Sequence, residues 1–501
     1  MPKFDKETKK TKFNIIFYFL LFLFSLSAFL VGFVNLDGWL INDDEGVYLY
    51  SAWRISLGEI PYQDFFLSQT PLSFYLTGFL FKLFTPSVSL ARGICYLLFL
   101  ITAFFIYLIS RKIFHLNKFL SLMSGVIFIF TKNINLLGKT FMPDCFMIFF
   151  GGIATYCVLK AEIESKNRRK ILYLFLFGFF CGFSALSKLS GILLLPGYYL
   201  FLLFSLVLQK EHLKNILLKA IYSFLGFFIS FGAFYSIMSI FIPSIYYGTL
   251  GFHLSKQKIA FNLFLIIINF FERIGKFIGN HNYGVIPIAL ISLTYGFIKK
   301  DKNKILMFCL IFPFFILAFI PMDFYVRYFA FTLIGLTVFF SDSLKIISEH
   351  RKIFRFSLPL IIILLIISLA PTFNLKRILK YDQGTRNLVR YIQKHSQPDD
   401  YLFSDYAGIN FYSKRPCPPQ LNDVSLAMTK SGQIISQDII DQCDSYQVKI
   451  ILVDIGGSAH HLKNLKDYSK FKDYLRKKYK YQGTIQREFQ LFEIYLRKSI
   501  Y

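Results

Sequence analysis

Cysteine is scarce in this sequence. Only seven cysteines occur in 501 residues, and no two of them have the spacing of metal ligands. Five lie in or beside apolar runs, where cysteine usually behaves as a small hydrophobic residue. Only Cys417 and Cys443 lie in polar sequence, where a disulfide is chemically allowed. The cysteines therefore offer no metal site.

The sequence also lacks two patterns that would point to other membrane proteins. Its apolar runs do not alternate with period two, which excludes an outer-membrane β-barrel. No clear internal repeat is present, which argues against a transporter. What the sequence does contain is 55% hydrophobic residues, 63 Phe and repeated apolar runs near 20 residues. This composition predicts a mainly α, polytopic membrane protein.

The net charge of +26 does not indicate a nucleic-acid partner, because of where the charge lies. Short loops attract Lys and Arg on the cytoplasmic side of a membrane. Most of the Lys and Arg before residue 374 lie in six short segments between the apolar runs, at 1–12, 110–118, 160–170, 209–219, 299–304 and 345–355. The charge therefore predicts a multi-pass protein of the plasma (inner) membrane with a cytoplasmic N-terminus.

Eleven membrane crossings follow from the apolar runs. They are predicted at 13–34, 90–109, 119–137, 145–160, 171–187, 189–208, 221–242, 283–298, 305–320, 328–344 and 356–373. The apolar run 261–271 is only about half a span long, and we interpret it as an interfacial or re-entrant helix. Eleven crossings place the C-terminus on the exterior, or periplasmic, side.

The composition becomes mixed and polar at residue 374, which predicts two domains. Residues 1–373 would form the transmembrane helical bundle, with a long first exterior loop at 35–89. Residues 374–501 would form a small exterior α/β domain. In this part strands are predicted at 399–404 and 449–454, helices at 385–395, 434–446 and 465–479, and a hairpin at 480–496.

The first exterior loop carries an unusual acidic run. Asp43, Asp44 and Glu45 directly follow the first predicted span. A simple structural explanation is that the run starts a helix, because acidic residues favour the first helical turn. Carboxylates beside a bilayer are nevertheless energetically costly and usually have a function. Their position predicts an active site at the boundary between water and lipid.

The loop resembles the start of the GT-C superfamily of membrane glycosyltransferases. The likeness is to the branch of the protein O-mannosyltransferases and the lipid A aminoarabinose transferases. It is carried by Asp44-Glu45, Gly58 to Phe65, Gln69 to Leu72, Arg92, Met142-Pro143-Asp144, Gly182 to Lys188 and Arg327-Tyr328. Relatives often have a Lys at the helix start where this chain has Gln69-Thr70, so one cation of the expected phosphate site is absent.

The resemblance implies a reaction and a set of partners. The donor would be a polyprenyl-phosphate sugar, and the acceptor a hydroxyl of a lipid, glycan or protein in the cell envelope. A hexose or pentose would be transferred at the exterior membrane face with inversion. The partners would also include membrane lipids but no nucleic acid. No cofactor is firmly implied, and no metal ligands are assigned, although a divalent metal at the acidic loop is left open.

The resemblance also implies roles for individual residues. In the family's position Asp44 would be the general base, Glu45 would support it, and Asp144 would lie near the acceptor hydroxyl or the sugar. Asp43 is the competing base, because adjacent acids leave the register open. Residues assigned to the donor phosphate are Arg92, Lys188 and Arg327, and those assigned to substrate binding are Asp43, Tyr48, Tyr62 and Gln69.

Two other functions are compatible with parts of the sequence. A multi-span transporter or flippase of cell-envelope glycolipids would explain the many spans and the isolated basic residues. A basic residue near a helix end also often simply extends to the interface. A polysaccharide polymerase or ligase of the same architecture would differ only in its acceptor. The clustering of the charged residues at one face favours the glycosyltransferase.

Overall fold

The first three quarters of the chain fold into a helical bundle. The computed structural model describes residues 18–19, 21–37, 43–252, 263–279, 284–319, 325–369, 383–456, 461–487 and 490–498. The helices of its first half are α1 Leu21–Phe33, α2 Asp43–Ser56, α3 Leu72–Leu83, α4 Val88–Lys112, α5 Lys118–Phe130, α6 Lys132–Gly138, α7 Pro143–Ile163 and α8 Asn167–Ser187.

The second half of the bundle continues with similar helices. They are α9 Leu194–Leu208, α10 Leu213–Phe227, α11 Ala233–Phe241, α12 Leu263–Phe277, α13 Val285–Ile298, α14 Lys302–Leu317, α15 Thr332–Glu349 and α16 Arg351–Leu369. A 3-10 turn at Leu189–Leu193 leads into α9, a second one at Val326–Phe329 precedes α15, and π-helical turns occur at Phe228–Gly232 and Tyr247–Gly251.

Side-chain caps fix the starts of several helices. Ser87 Oγ accepts a hydrogen bond from Leu90 N at 3.2 Å, at the start of α4. Asn117 Oδ1 accepts one from Leu120 N at 2.8 Å, at the start of α5. Helix α7 begins at Pro143, where the missing proline N–H removes no helical hydrogen bond. Caps of this kind satisfy donors that a helix leaves unpaired.

Within the described residues the predicted spans fall largely on helices, but the number of crossings stays a prediction. Among the described residues, five helices are long and apolar enough to span a membrane: Val88–Lys112, Pro143–Ile163, Asn167–Ser187, Leu189–Val207 and Leu213–Phe241. The predicted span 119–137 is not one straight helix, because the chain bends by 62° between α5 and α6. Helix α12 covers the described part of the predicted half-span 261–271, of which residues 261 and 262 lie outside the described residues.

Three of the predicted cytoplasmic loops meet at one end of the bundle, which we call the basic face. The side chain of Glu162 is fully buried and accepts hydrogen bonds from Lys219 and Lys302, each at 2.8 Å. Lys219 also contacts Glu211 at 2.8 Å. These residues come from the predicted loops 160–170, 209–219 and 299–304. The loops therefore share one face, as the charge pattern predicts.

The C-terminal part contains a small mixed sheet, which confirms the predicted α/β class. Its strands are β1 Leu402–Ser404, β2 Ile450–Asp454, β3 Tyr479–Arg487 and β4 Gln490–Arg497. The order is β1-β2-β4-β3, with β1 and β2 parallel and the other pairs antiparallel. The helices around it are α17 Gln383–His395, α18 Gly408–Ser413, α19 Leu426–Ser431, α20 Ser436–Ser445 and α21 Tyr468–Lys478. Cys417 and Cys443 are buried free thiols.

Candidate active site

The acidic run starts helix α2. Asp43 is the first residue of the helix, Asp44 the second and Glu45 the third. The positive end of the helix dipole favours carboxylates at these positions, so the structural explanation for the run is satisfied. The side chain of Asp43 lies outside the described part of the structure. The site can therefore be built from Asp44 and Glu45, which have very different surroundings.

Asp44 pairs with Arg327 across the bundle. Arg327 Nη2 donates to Asp44 Oδ2 at 2.6 Å. The Asp44 side chain is 44% exposed and that of Arg327 is 20% exposed, so the pair reaches the surface. The guanidinium also lies 4.4 Å from the centre of the Tyr325 ring. Asp44 is thus held in place by a permanent cation while its carboxylate stays accessible.

A second ion pair joins the start of α7 to the end of α8. Lys188 Nζ donates to Asp144 Oδ1 at 2.7 Å. Asp144 follows Pro143 in the first turn of α7, and Lys188 directly follows the last residue of α8. The Asp144 side chain is only 5% exposed, whereas that of Lys188 is 17% exposed. Asp144 is therefore much less accessible than Asp44.

The electrostatics show that the two ion pairs form one site. Burial opposes the charge of Arg327, but the carboxylates of Asp44 and Asp144 outweigh it and raise the pKa of Arg327. Burial lowers the pKa of Lys188, and Arg327 lowers it further, against the attraction of Asp144. Lys188 Nζ also lies 5.5 Å from the ring of Tyr328, the residue after Arg327. Two acids and two cations therefore share one end of the bundle, which we call the site face.

Glu45 and Arg92 form a buried clamp and not an exposed site. Arg92 Nε and Nη2 each donate to Glu45 at 2.7 Å, and Arg92 Nη1 donates to Leu36 O at 2.6 Å. Phe141 N also donates to Glu45 at 2.7 Å. The Arg92 and Glu45 side chains are 1% and 0% exposed. The predicted contact of Arg92 with a donor phosphate is therefore not favoured, because all its nitrogens are already bound to protein oxygens.

The aromatic residues of the predicted substrate set are buried. Tyr48 lies on α2 with its ring 5.5 Å from that of Phe74, and burial, with Asp44 adding to it, raises the pKa of its phenol. The Tyr62 hydroxyl donates to Gln69 O, and Tyr62 O accepts from Ser244 Oγ at 2.6 Å. Tyr62 has a φ of 69°, which marks a tight turn. Tyr62 thus holds the loop together, and Gln69 takes part through its backbone.

The structure brings together some of the predicted residues and separates others. Asp44, Asp144, Lys188 and Arg327 meet at the site face, and Tyr48 lies among them. The sequence includes Tyr328 in the matching pair Arg327-Tyr328 but does not predict its place beside Lys188. Among the described residues, no group of three His, Cys, Asp or Glu side chains could hold a metal ion.

Solved structures share this fold over nearly the whole chain. ArnT from Cupriavidus metallidurans bound to undecaprenyl phosphate is 13% identical, with a TM-score of 0.69, and the match covers 95% of this chain and 97% of that chain. The apo oligosaccharyltransferase from Archaeoglobus fulgidus is 13% identical, with a TM-score of 0.60 and coverage of 94% and 74%. No curated protein matches the chain in sequence.

These matches show the fold of the protein. Both solved proteins are GT-C glycosyltransferases, so the chain has a GT-C fold, as the sequence predicts. Within that class, the profile of the family described as "Dolichyl-phosphate-mannose-protein mannosyltransferase" matches residues 68–235. That segment contains Arg92, Asp144 and Lys188. The match and the fold together confirm the resemblance seen in the sequence.

Proposed function

We propose that the protein is an inverting glycosyltransferase that moves a sugar from a polyprenyl phosphate to an acceptor hydroxyl. The observation that carries the proposal is the exposed Asp44 carboxylate, bound to Arg327 and next to the Asp144–Lys188 pair. Such a reaction needs a base for the proton of the acceptor and cations for the leaving phosphate, all at one place. The GT-C fold supports the same class of reaction.

Asp44 is the proposed general base. The acceptor oxygen attacks the anomeric carbon, its proton passes to Asp44, and the bond from that carbon to the phosphate oxygen breaks with its electron pair on the phosphate. Of the described acids at the site face, Asp44 is the most exposed at 44%, against 5% for Asp144 and 0% for Glu45. Exposure favours Asp44, because a base must reach the proton it removes.

Arg327 and Lys188 are the proposed ligands of the donor phosphate. The phosphate gains negative charge as it leaves, and cations stabilise that charge best in a site shielded from water. Both side chains are partly exposed, at 20% and 17%. Each already contacts a carboxylate and would be shared with the phosphate. Arg92 is removed from this set and is proposed to position Glu45 instead.

The proposed substrates follow the chemistry of this site. One of the solved relatives binds undecaprenyl phosphate, and an archaeal oligosaccharyltransferase was solved with dolichol-phosphate and an inhibitory peptide. A polyprenyl-phosphate hexose or pentose is accordingly the proposed donor here. The acceptor is a lipid, glycan or protein hydroxyl. The proposed location is the plasma (inner) membrane, with the site face exterior and the basic face and N-terminus cytoplasmic.

The function can be tested by mass spectrometry of cell-envelope glycans and lipids. Cells with and without the gene are compared, and the deletion is complemented by the wild-type chain, by Asp44→Asn or by Asp37→Asn. Asp37 is an exposed acid on the same loop and serves as the matched control. We expect a missing hexose or pentose that wild type and Asp37→Asn restore and Asp44→Asn does not. An envelope unchanged by the deletion contradicts the proposal.

A further inference from the structure

Helix α2 packs against the C-terminal part of the chain at unusually short range. A Cβ atom built on Gly46 would lie 2.6 Å from Gly408 N and 2.9 Å from Gly408 Cα. These are backbone atoms, so no side-chain rotation can relieve the clash. A Cβ on Gly408 would in turn lie 3.2 Å from Gly46 Cα. Glycine at position 46 therefore allows α2 and the start of α18 to approach this closely, whereas a Cβ on Gly408 would also require the Tyr406 ring, 2.9 Å away, to move.

A hydrogen bond continues the contact one turn further along α2. Cys417 N donates to the Tyr50 hydroxyl at 2.8 Å, and both residues are buried. Residues 46 and 50 are four apart and therefore lie on the same face of the helix. This face of α2 is thus fixed to the C-terminal part by a steric contact and by a hydrogen bond.

The loop after α2 is held by the same segment. Phe66 N donates to Pro419 O at 3.0 Å, and Asn422 Nδ2 donates to Phe66 O at 2.8 Å. We call the contacts of Gly46, Tyr50 and Phe66 with residues 408–422 the seam. The seam joins the loop that carries the acids to the segment between β1 and α19.

The seam lies on the opposite side of α2 from Asp44. Successive helical residues are rotated by about 100°, so Gly46 points about 200° away from Asp44. Asp44 faces Arg327 and the bundle, whereas Gly46 faces Gly408. A Cβ added at Gly46 would therefore push α2 from the side opposite the Asp44–Arg327 hydrogen bond. Glu45, between the two, is clamped by Arg92.

We propose that the seam positions Asp44 for the reaction, with Gly46, Gly408 and Tyr50 as positioning residues. The inference rests on the proposed function, because it assigns these residues to the placement of the base. The C-terminal part of the chain then contributes to the active site by fixing the position of α2. A displacement of about 1 Å in such a site can lower a rate about 100-fold.

The test uses the purified full-length protein in lipid nanodiscs. The variants are Gly46→Ala, Gly408→Ala and Tyr50→Phe, and the matched control is Gly275→Ala, because a Cβ there would meet nothing within 4 Å. Transfer from a synthetic polyprenyl-phosphate sugar gives kcat, and binding of the same lipid gives the donor Kd. We expect kcat to fall about 10- to 100-fold in Gly46→Ala. The donor Kd should stay within about threefold of the control, and the thermal midpoint should stay within a few degrees of it.

The split between kcat and Kd separates positioning from a general loss of structure. A kcat for Gly46→Ala within threefold of Gly275→Ala overturns the inference. If Gly46→Ala does not fold, Tyr50→Phe is the deciding variant, since it removes both hydrogen bonds of the Tyr50 hydroxyl with the Cys417 backbone without adding an atom. A several-fold lower kcat at unchanged donor Kd supports the seam, and an unchanged kcat overturns it.

Failure of the proposed function has a different signature. A folded wild-type protein that binds no donor and transfers no sugar overturns both the function and the seam. An active wild type, an inactive Asp44→Asn and fully active seam variants overturn the seam alone.

Discussion

Adjacent residues of the acidic run have opposite roles in the structure. The Asp44 carboxylate is 44% exposed and paired with Arg327, whereas Glu45 is completely buried against Arg92. The sequence could predict that acids begin α2, because their preference for the first turn is local. It could not predict the partner of Glu45, since Arg92 lies 47 residues away in the chain and only the packing of α2 against α4 brings the two together.

The buried clamp leads to a prediction about stability. Arg92→Met would leave Glu45 charged, buried and without its guanidinium, and breaking such a pair typically costs about 3–5 kcal/mol. We expect a clearly lower thermal midpoint for Arg92→Met in detergent. The control is Arg476→Met, because Arg476 is 76% exposed and exposed pairs contribute little. Equal midpoints for the two variants would contradict the assignment of Arg92 to structure.

Lys188 leads to a prediction about pH. Burial lowers its pKa, so Lys188 loses its proton at a lower pH than an exposed lysine. If its ammonium binds the donor phosphate, donor affinity is full below that pKa and declines as the pH rises through it. Lys188→Arg should remove this decline, because arginine stays protonated. The donor Kd is measured across alkaline pH for both proteins, and identical profiles would argue against a phosphate contact.

At the scale of elements, the sequence predicted helices and strands well but missed one break. The apolar run 119–137 suggested a single span, yet α5 ends at Phe130 and α6 continues at an angle of 62°. Thr131 Oγ1 donates to Ile127 O at 2.6 Å, and its backbone leaves the helical region. Beyond the end of α6, Phe141 N donates to Glu45 at 2.7 Å. A sequence run that stays apolar across a bend shows no change of hydrophobic period there, so the sequence does not predict the bend.

The basic face offers a prediction for a contact between helices. Glu162 lies at the end of α7 and binds Lys219 of α10 and Lys302 of α14. Glu162→Gln removes the charge that both lysines share, so the thermal midpoint should fall, while kcat of the folded protein stays within about threefold because the site lies on the other face. Glu349→Gln, at an exposed position, is the control. A midpoint equal to that of the control would contradict the prediction.

At the scale of the whole molecule, the sequence predicted the bundle and the small α/β part but not how they join. Hydropathy and periodicity are local signals, and they are sufficient to predict the helical bundle and the α/β part separately. The seam depends on two glycines far apart in the chain, Gly46 and Gly408, and on the hydrogen bond between Tyr50 and Cys417. No local pattern distinguishes these glycines from others. The shared location of three basic loops was predictable, because positive charge collects on one side of a membrane.

The orientation of the molecule in the membrane is a prediction with a direct test. Residues 299–304 should be cytoplasmic, and residues after 374 should be exterior, because the basic loops share one face and the positive-inside rule assigns that face. A reporter that works only in the exterior compartment, fused after Tyr501, should be active. Activity of a reporter that requires the cytoplasm at that position would overturn the arrangement.

In the proposed reaction Asp44 removes the proton of the acceptor hydroxyl. The most direct test of this step is single-turnover transfer from a polyprenyl-phosphate sugar by purified Asp44→Asn, beside wild type and Asp37→Asn. The amide keeps the shape of the side chain but cannot take the proton, so the rate should fall about 100- to 10,000-fold, with the thermal midpoint and the donor Kd little changed. A rate within threefold of wild type would contradict the claim and move the role to Asp43.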